Sequence, residues 1–190
     1  MSENQAPEQF VEALASLREL AVDPALVVRE IRAPRNLAPF VAAVEVTAFD
    51  RPGSFGGAQI GTATFVILFD PEQAPNWGGP LRLVGHAVMQ IDSDQSTDPL
   101  LAQAVWHTLV DSLDAAGAQY SRLVGSVTVE ITETFGDLKL RGPALSADLR
   151  CSWSPDTFRL TEQLEGWADA LRQNLGLEPT GVVSIGHVHA

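Results

Sequence analysis

Two stretches of the chain alternate apolar and polar residues almost without a break. Val127, Val129 and Ile131 interleave with Thr128, Glu130 and Thr132, and Leu145, Ala147, Leu149, Cys151 and Trp153 interleave with Ser146, Asp148, Arg150 and Ser152. Successive side chains of a strand point to opposite faces, so a period of two predicts strands with one dry face and one wet face. Four earlier segments also read as strands: Leu26–Arg32, Phe40–Phe49, Gly61–Phe69 and Leu81–Ile91. In the second, Ala42, Val44, Val46 and Ala48 share one face while Glu45 and Thr47 occupy the other. In the fourth, Leu81, Leu83, Ala87, Met89 and Ile91 are in phase.

Helical spacing marks three further segments. Pro7 suits a first helical turn, and Phe10, Leu14, Leu17 and Ala21 follow it up to a stop at Asp23-Pro24. A central helix has Asp98 as its cap and Pro99 at its opening; Ala102, Val105, Trp106, Leu109 and Leu113 face inward, and Gly117 closes it. A last helix opens near Ser154-Pro155 and runs through Leu160, Leu164, Trp167, Leu171 and Leu175. Between strands, a glycine-rich loop spans Asp50 to Ala58, and a second loop, Asp70 to Pro80, surrounds Trp77. Val182–Ile185 has the character of a short added strand. The order helix, four strands, helix, two strands, helix implies hairpins. The fold class is therefore α+β, with a mainly antiparallel sheet of about six strands and three helices on one face.

Composition narrows the function. At 190 residues the chain suits one domain that buries roughly 70% of its unfolded surface. We expect a disordered segment 1–6, a single domain over 7–186 and a flexible end at 187–190. One cysteine, the lack of a basic-then-apolar leader and the lack of a long apolar run suggest a cytoplasmic protein. The net charge is −12, from 24 acidic and 12 basic residues. Nucleic-acid binding relies on basic groups that displace counterions from phosphates. Arg29, Arg32 and Arg35 concentrate some positive charge, but Glu30 sits among them. Neither nucleic acid nor an anionic membrane is an expected partner; a protein partner or self-association is.

No catalytic constellation emerges from spacing. His86 falls on the polar phase of its strand, and His107 has no carboxylate three or four positions away. His187 and His189 could share a metal from one strand face, but no third ligand lies nearby in sequence. Gly53-Ser54-Phe55-Gly56-Gly57 fits neither a nucleophile elbow nor a phosphate loop. Cys151 alternates inward beside Trp153 and reads as an inert core thiol. Asp92, Asp94 and Asp98 resemble the start of a calcium loop that lacks its glycine and terminal glutamate. Glu130 and Glu133 fall on opposite faces, and Glu133 takes the apolar phase past the core. No catalytic residue and no cofactor are assigned. Trp77 and Phe55, large side chains in glycine- and proline-rich loops, are the candidate partner-binding residues; folding back as a lid on the core is the competing account.

Several strings together resemble a bacterial family bearing only a serial label, domain of unknown function 3000, from high-GC Gram-positive bacteria. They are Ala33-Pro34-Arg35-Asn36-Leu37-Ala38-Pro39, Trp77 ahead of Leu81-Arg82-Leu83-Val84, Thr97-Asp98-Pro99-Leu100-Leu101 leading to Trp106, Phe135-Gly136-Asp137, Leu149-Arg150-Cys151-Ser152-Trp153-Ser154-Pro155, Gly176-Leu177 and Gly181-Val182. The resemblance implies a cytoplasmic protein and supplies no catalytic residues. The order of elements also resembles the secretion-chaperone-like fold, an acidic and often dimeric architecture that binds protein segments. The expected function is a non-enzymatic protein-binding or adaptor module, chaperone-like and dimeric. The alternative is a small enzyme or ligand-binding protein whose pocket joins residues distant in sequence, such as His86 and Glu133.

Overall fold

A computed structural model describes residues 6–21, 23–50, 57–92, 98–136 and 144–179. Six strands form one sheet in the order β1-β2-β3-β4-β6-β5, with every neighbouring pair antiparallel. They are β1 (Leu26–Ile31), β2 (Phe40–Phe49), β3 (Gln59–Phe69), β4 (Leu81–Ile91), β5 (Tyr120–Thr132) and β6 (Ala144–Pro155). The helices are α1 (Glu8–Ser16), α2 (Ala74–Trp77), α3 (Leu101–Ala115) and α4 (Thr161–Asn174). The α+β class and the antiparallel sheet are as the alternation implies. Phe55, His187, His189, the segment Val182–Ile185 and both termini fall outside the described residues.

Helix number and two boundaries differ from the sequence reading. The fourth helix, α2, is a single turn inside the connection expected to be a loop. It follows a 3-10 turn whose cap, Asp70, accepts a hydrogen bond from the Glu72 amide at 3.0 Å. Gly78 then ends it at φ +89°, a left-handed conformation that glycine adopts without Cβ strain. The last helix starts at Thr161, not near Ser154-Pro155, because β6 continues to Pro155, which lies opposite Tyr120. The fifth strand starts at Tyr120, seven residues before the clear alternation. Its early part is disguised by an irregularity between Ser121 and Val124, where Arg122 has φ +54°.

The hydrophobic core lies on one face of the sheet. There Val46, Ala63, Phe65, Leu83, Met89, Leu149 and Trp153 meet Phe10 of α1, Leu109 and Leu113 of α3, and Leu164, Trp167 and Leu171 of α4. Gly85 lets Trp167 lie directly on the sheet, since a Cβ there would stand 2.7 Å from the indole. Among the described residues, the opposite face carries no α-helix except α2. A satellite cluster of Ala43, Val66 and Leu68, packed by Ile31, Val41, Trp77 and Val84, covers one end of it. Among the described residues the rest of that outer face is mainly polar, with Val88 and Val124 exposed on it.

Candidate functional site

The outer face and the outer strand are where side chains remain available. Cross-strand register sets Thr64, His86, Arg150 and Ser126 in one row, and Thr62, Val88, Asp148 and Thr128 in the next. His86 is exposed, and its Nε2 lies 3.2 Å from Asp148 Oδ2. Arg150 grips the same carboxylate from the other side, donating from Nε to Oδ1 at 3.0 Å and from Nη2 to Oδ2 at 3.1 Å. That double hydrogen bond, with His86 adding to it, holds the Asp148 carboxyl below its ordinary pKa.

His86 and Glu133 are not brought together. His86 sits opposite Arg150, and Arg150 opposite Ser126; Glu133 lies seven residues beyond Ser126, past the end of β5. At about 3.3 Å per strand residue that is about 23 Å along the sheet. Both side chains are exposed. Among the described residues, no group of three or more His, Cys, Asp or Glu side chains is placed to hold a metal ion. Asp98 does not cap α3 itself, whose N-cap is Leu100; it accepts from the Leu100 amide at 2.8 Å in the turn that leads into the helix.

Trp77 is half-buried, folded back on the satellite cluster. Its connection is pinned to the sheet by residues that sequence reasoning missed. Ser154 Oγ donates to the Trp77 carbonyl at 2.6 Å, and Arg122 Nη1 donates to the Asn76 carbonyl at 2.8 Å. Arg82 in turn donates to the Arg122 carbonyl, to both hydroxyls Ser152 Oγ and Ser154 Oγ, and to the Ser152 carbonyl. Burial, and then the neighbouring charge of Arg122, lower the Arg82 pKa from its ordinary value. The only sequence signal for this pair was two arginines flanking proline- and glycine-rich turns. Phe55 cannot be placed.

Cys151 is 6% exposed on the core face, and burial pushes its thiol pKa up to about 12. The thiolate is the reactive form, so a polar thiol reagent should label the native protein slowly and the unfolded protein fast. Rapid native labelling, followed by mass spectrometry, would show that the thiol is accessible and not a core group.

β5 is the outermost strand of the sheet, and among the described residues nothing pairs with its far side. Its thirteen residues leave Val124 57%, Val129 36% and Ile131 53% exposed, with Phe135 beyond it at 72%. The opposite outer strand, β1, has only six residues and bears Arg29 and Glu30. Short, charged edges discourage pairing, whereas long apolar ones invite it. At the start of β5, Tyr120 donates its hydroxyl proton to Asp114 Oδ1 at 2.9 Å. Burial, and then that hydrogen bond and the charges of Asp114 and Asp111, raise the phenol pKa to about 12. An unfolded tyrosine titrates near 10. The folded state therefore holds this proton more tightly; the associated stabilisation is complete below about pH 10 and is lost as pH rises through about 12. Tyr120 is the one tyrosine of the chain, so tyrosinate absorbance reports it alone. Ionisation near pH 10 in protein that is still folded would contradict this placement.

Among the described residues, fold and surface define an α+β protein with one helix-covered face, one largely polar face and, at β5, one edge with no neighbouring strand. Over residues 6–183 the chain matches the family described as Protein of unknown function (DUF3000), and it belongs to that family. No curated protein and no solved structure matches it. Among the described residues, no helix is long and apolar enough to cross a membrane.

Proposed function

We propose that this chain is a cytoplasmic, non-enzymatic protein-binding module, adaptor- or chaperone-like, that meets its partner through the free edge of β5. The observation that carries this reading is the contrast between the two outer strands: β5 has thirteen residues and bears exposed Val124, Val129 and Ile131, while β1 has six, with Arg29 and Glu30 beside a single exposed valine, Val27. An exposed strand edge offers a row of backbone donors and acceptors, and partners use such edges by adding a strand. The separation of His86 from Glu133 weighs against a reaction centre assembled from those residues. The net charge of −12 favours a protein over a nucleic acid as partner.

A photo-crosslinking residue at Ile131, compared with one at Val27 on β1, tests the reading in cells that express the protein. The expected result is a discrete protein adduct from position 131 and none from position 27. No adduct at 131, or the same adducts from both positions, would overturn it. A second reading, a ligand-binding protein, has one observation in its favour. A cleft of about 500 Å³ lies between α1, β1 and β2, lined by Val11, Leu14, Leu17, Val28 and Val44. A small apolar ligand that fits there should raise the melting temperature, and Val44→Trp should abolish that rise.

A further inference from the structure

Two grooves flank the free edge of β5, one on each face of the sheet. On the helix face, Ala102, Trp106 and His107 of α3 stand beside Gly125 and Val127 around a space of about 220 Å³. Trp106 approaches the strand so closely that a Cβ on Gly125 would lie 2.7 Å from its ring. On the outer face, Ser126, Thr128 and Glu130 of β5 and Ser146, Asp148 and Arg150 of β6 border about 300 Å³. A strand added to this edge would send successive side chains alternately toward the two grooves.

The grooves differ in chemistry. The first presents Trp106 and Val127 and is continued along β5 by Val129 and Ile131, which suits apolar side chains. The second presents the carboxylate of Glu130 beside the Asp148–Arg150 pair, whose charges offset each other. Arg122, the single cation of β5, is turned to the Asn76 carbonyl. On the helix face, Asp111 and Asp114 of α3 beside Tyr120 add negative charge near the start of the strand.

We propose that the β5 edge receives an extended segment of another protein in which apolar residues alternate with basic ones, adding it as a seventh strand. This rests on the protein-binding reading and specifies the chemistry of the partner. Charge decides against a second copy of this chain, which would bring its own Glu130, Asp111 and Asp114 to the same rim on a molecule of net charge −12.

The full chain can be titrated with two labelled nine-residue peptides, one alternating valine and lysine and the other valine and glutamate. The lysine peptide should bind about tenfold or more tightly than the glutamate peptide, a preference that weakens in high salt. Methylating alternate backbone nitrogens on the edge-facing side should abolish binding while leaving the side chains intact. Glu130→Lys, at an exposed position, should reduce or reverse the preference without altering the unfolding curve. Equal binding of both peptides, no binding of either, or indifference to N-methylation overturns the proposal. If the Ile131 crosslink still forms, protein binding at this edge survives that failure. If its product is this chain bonded to itself, the edge serves self-association and the basic-segment proposal falls. Loss of both peptide binding and crosslink removes both readings.

Discussion

Replacing Trp167 with alanine should lower the unfolding free energy by about 3–5 kcal/mol, a large part of a typical 5–15 kcal/mol. Trp167 is buried where α4 meets the sheet, its ring 5.9 Å from that of Trp153, which stands 5.9 Å from Phe65. Trp153 satisfies its indole by donating to Gln163 Oε1 at 2.8 Å. The Trp167 Nε1, by contrast, is buried without a partner among the described residues. The loss on truncation is therefore one of packing, and Trp167→Phe should cost clearly less than Trp167→Ala because it keeps much of the ring packing, while both changes remove the unpaired donor. The same contact predicts an effect from the opposite side. Gly85→Ala pushes a methyl to within 2.7–2.9 Å of the Trp167 ring and should cost about 1–3 kcal/mol. In the Trp167→Ala background that methyl meets a void, so Gly85→Ala should become nearly neutral. Urea denaturation followed by circular dichroism gives all four corners of this cycle. Additive losses would show that the two residues do not share a contact.

Leu109→Ala and Leu113→Ala should each cost about 2–5 kcal/mol. Both side chains are fully buried one turn apart on α3, between α4 and the sheet, and Gly166 of α4 packs against Leu113. Trp77→Ala should cost less, about 1–2 kcal/mol, since Trp77 is half-buried on the satellite cluster and its connection is held by backbone hydrogen bonds that do not involve the indole. If Trp77→Ala destabilises as much as the leucine changes, the outer-face cluster is a second essential core and Trp77 is simply its lid.

These contrasts show which parts of the molecule local sequence can specify. The period of two identifies the strands correctly because each has one face against the helices; Leu145 through Trp153 is the clearest case. The Ser154-Pro155 pair imitates a helix start, yet Pro155 ends β6. The β4–β6 pairing has stopped by Leu83 and Trp153, so the missing proline N–H interrupts no ladder there. Arg122 in its left-handed conformation breaks the alternation and hides the first third of β5. The position of β6 between β4 and β5 was not legible at all. It depends on α3 carrying the chain over the sheet, and hence on long-range packing. The candidate site inherits that illegibility: Glu130 and Asp148 are eighteen residues apart and line one groove across the β5–β6 pair, while Trp106 reaches Gly125 from the helix above. What could be read was negative charge, an inert Cys151 and the alternation of β5. That alternation defines a strand but does not reveal that, among the described residues, it is the outermost one.

Hydrogen exchange along β5 tests the central claim most directly. The protein isolated gently from its own cells should be compared with the same chain refolded alone, with exchange read peptide by peptide. A partner strand added to the edge would slow exchange across Val124–Thr132 in the cellular material and leave β1 unchanged. Equal exchange at β5 in both samples, with protection instead on β1 or around Trp77, would contradict the assignment of β5 as the docking strand.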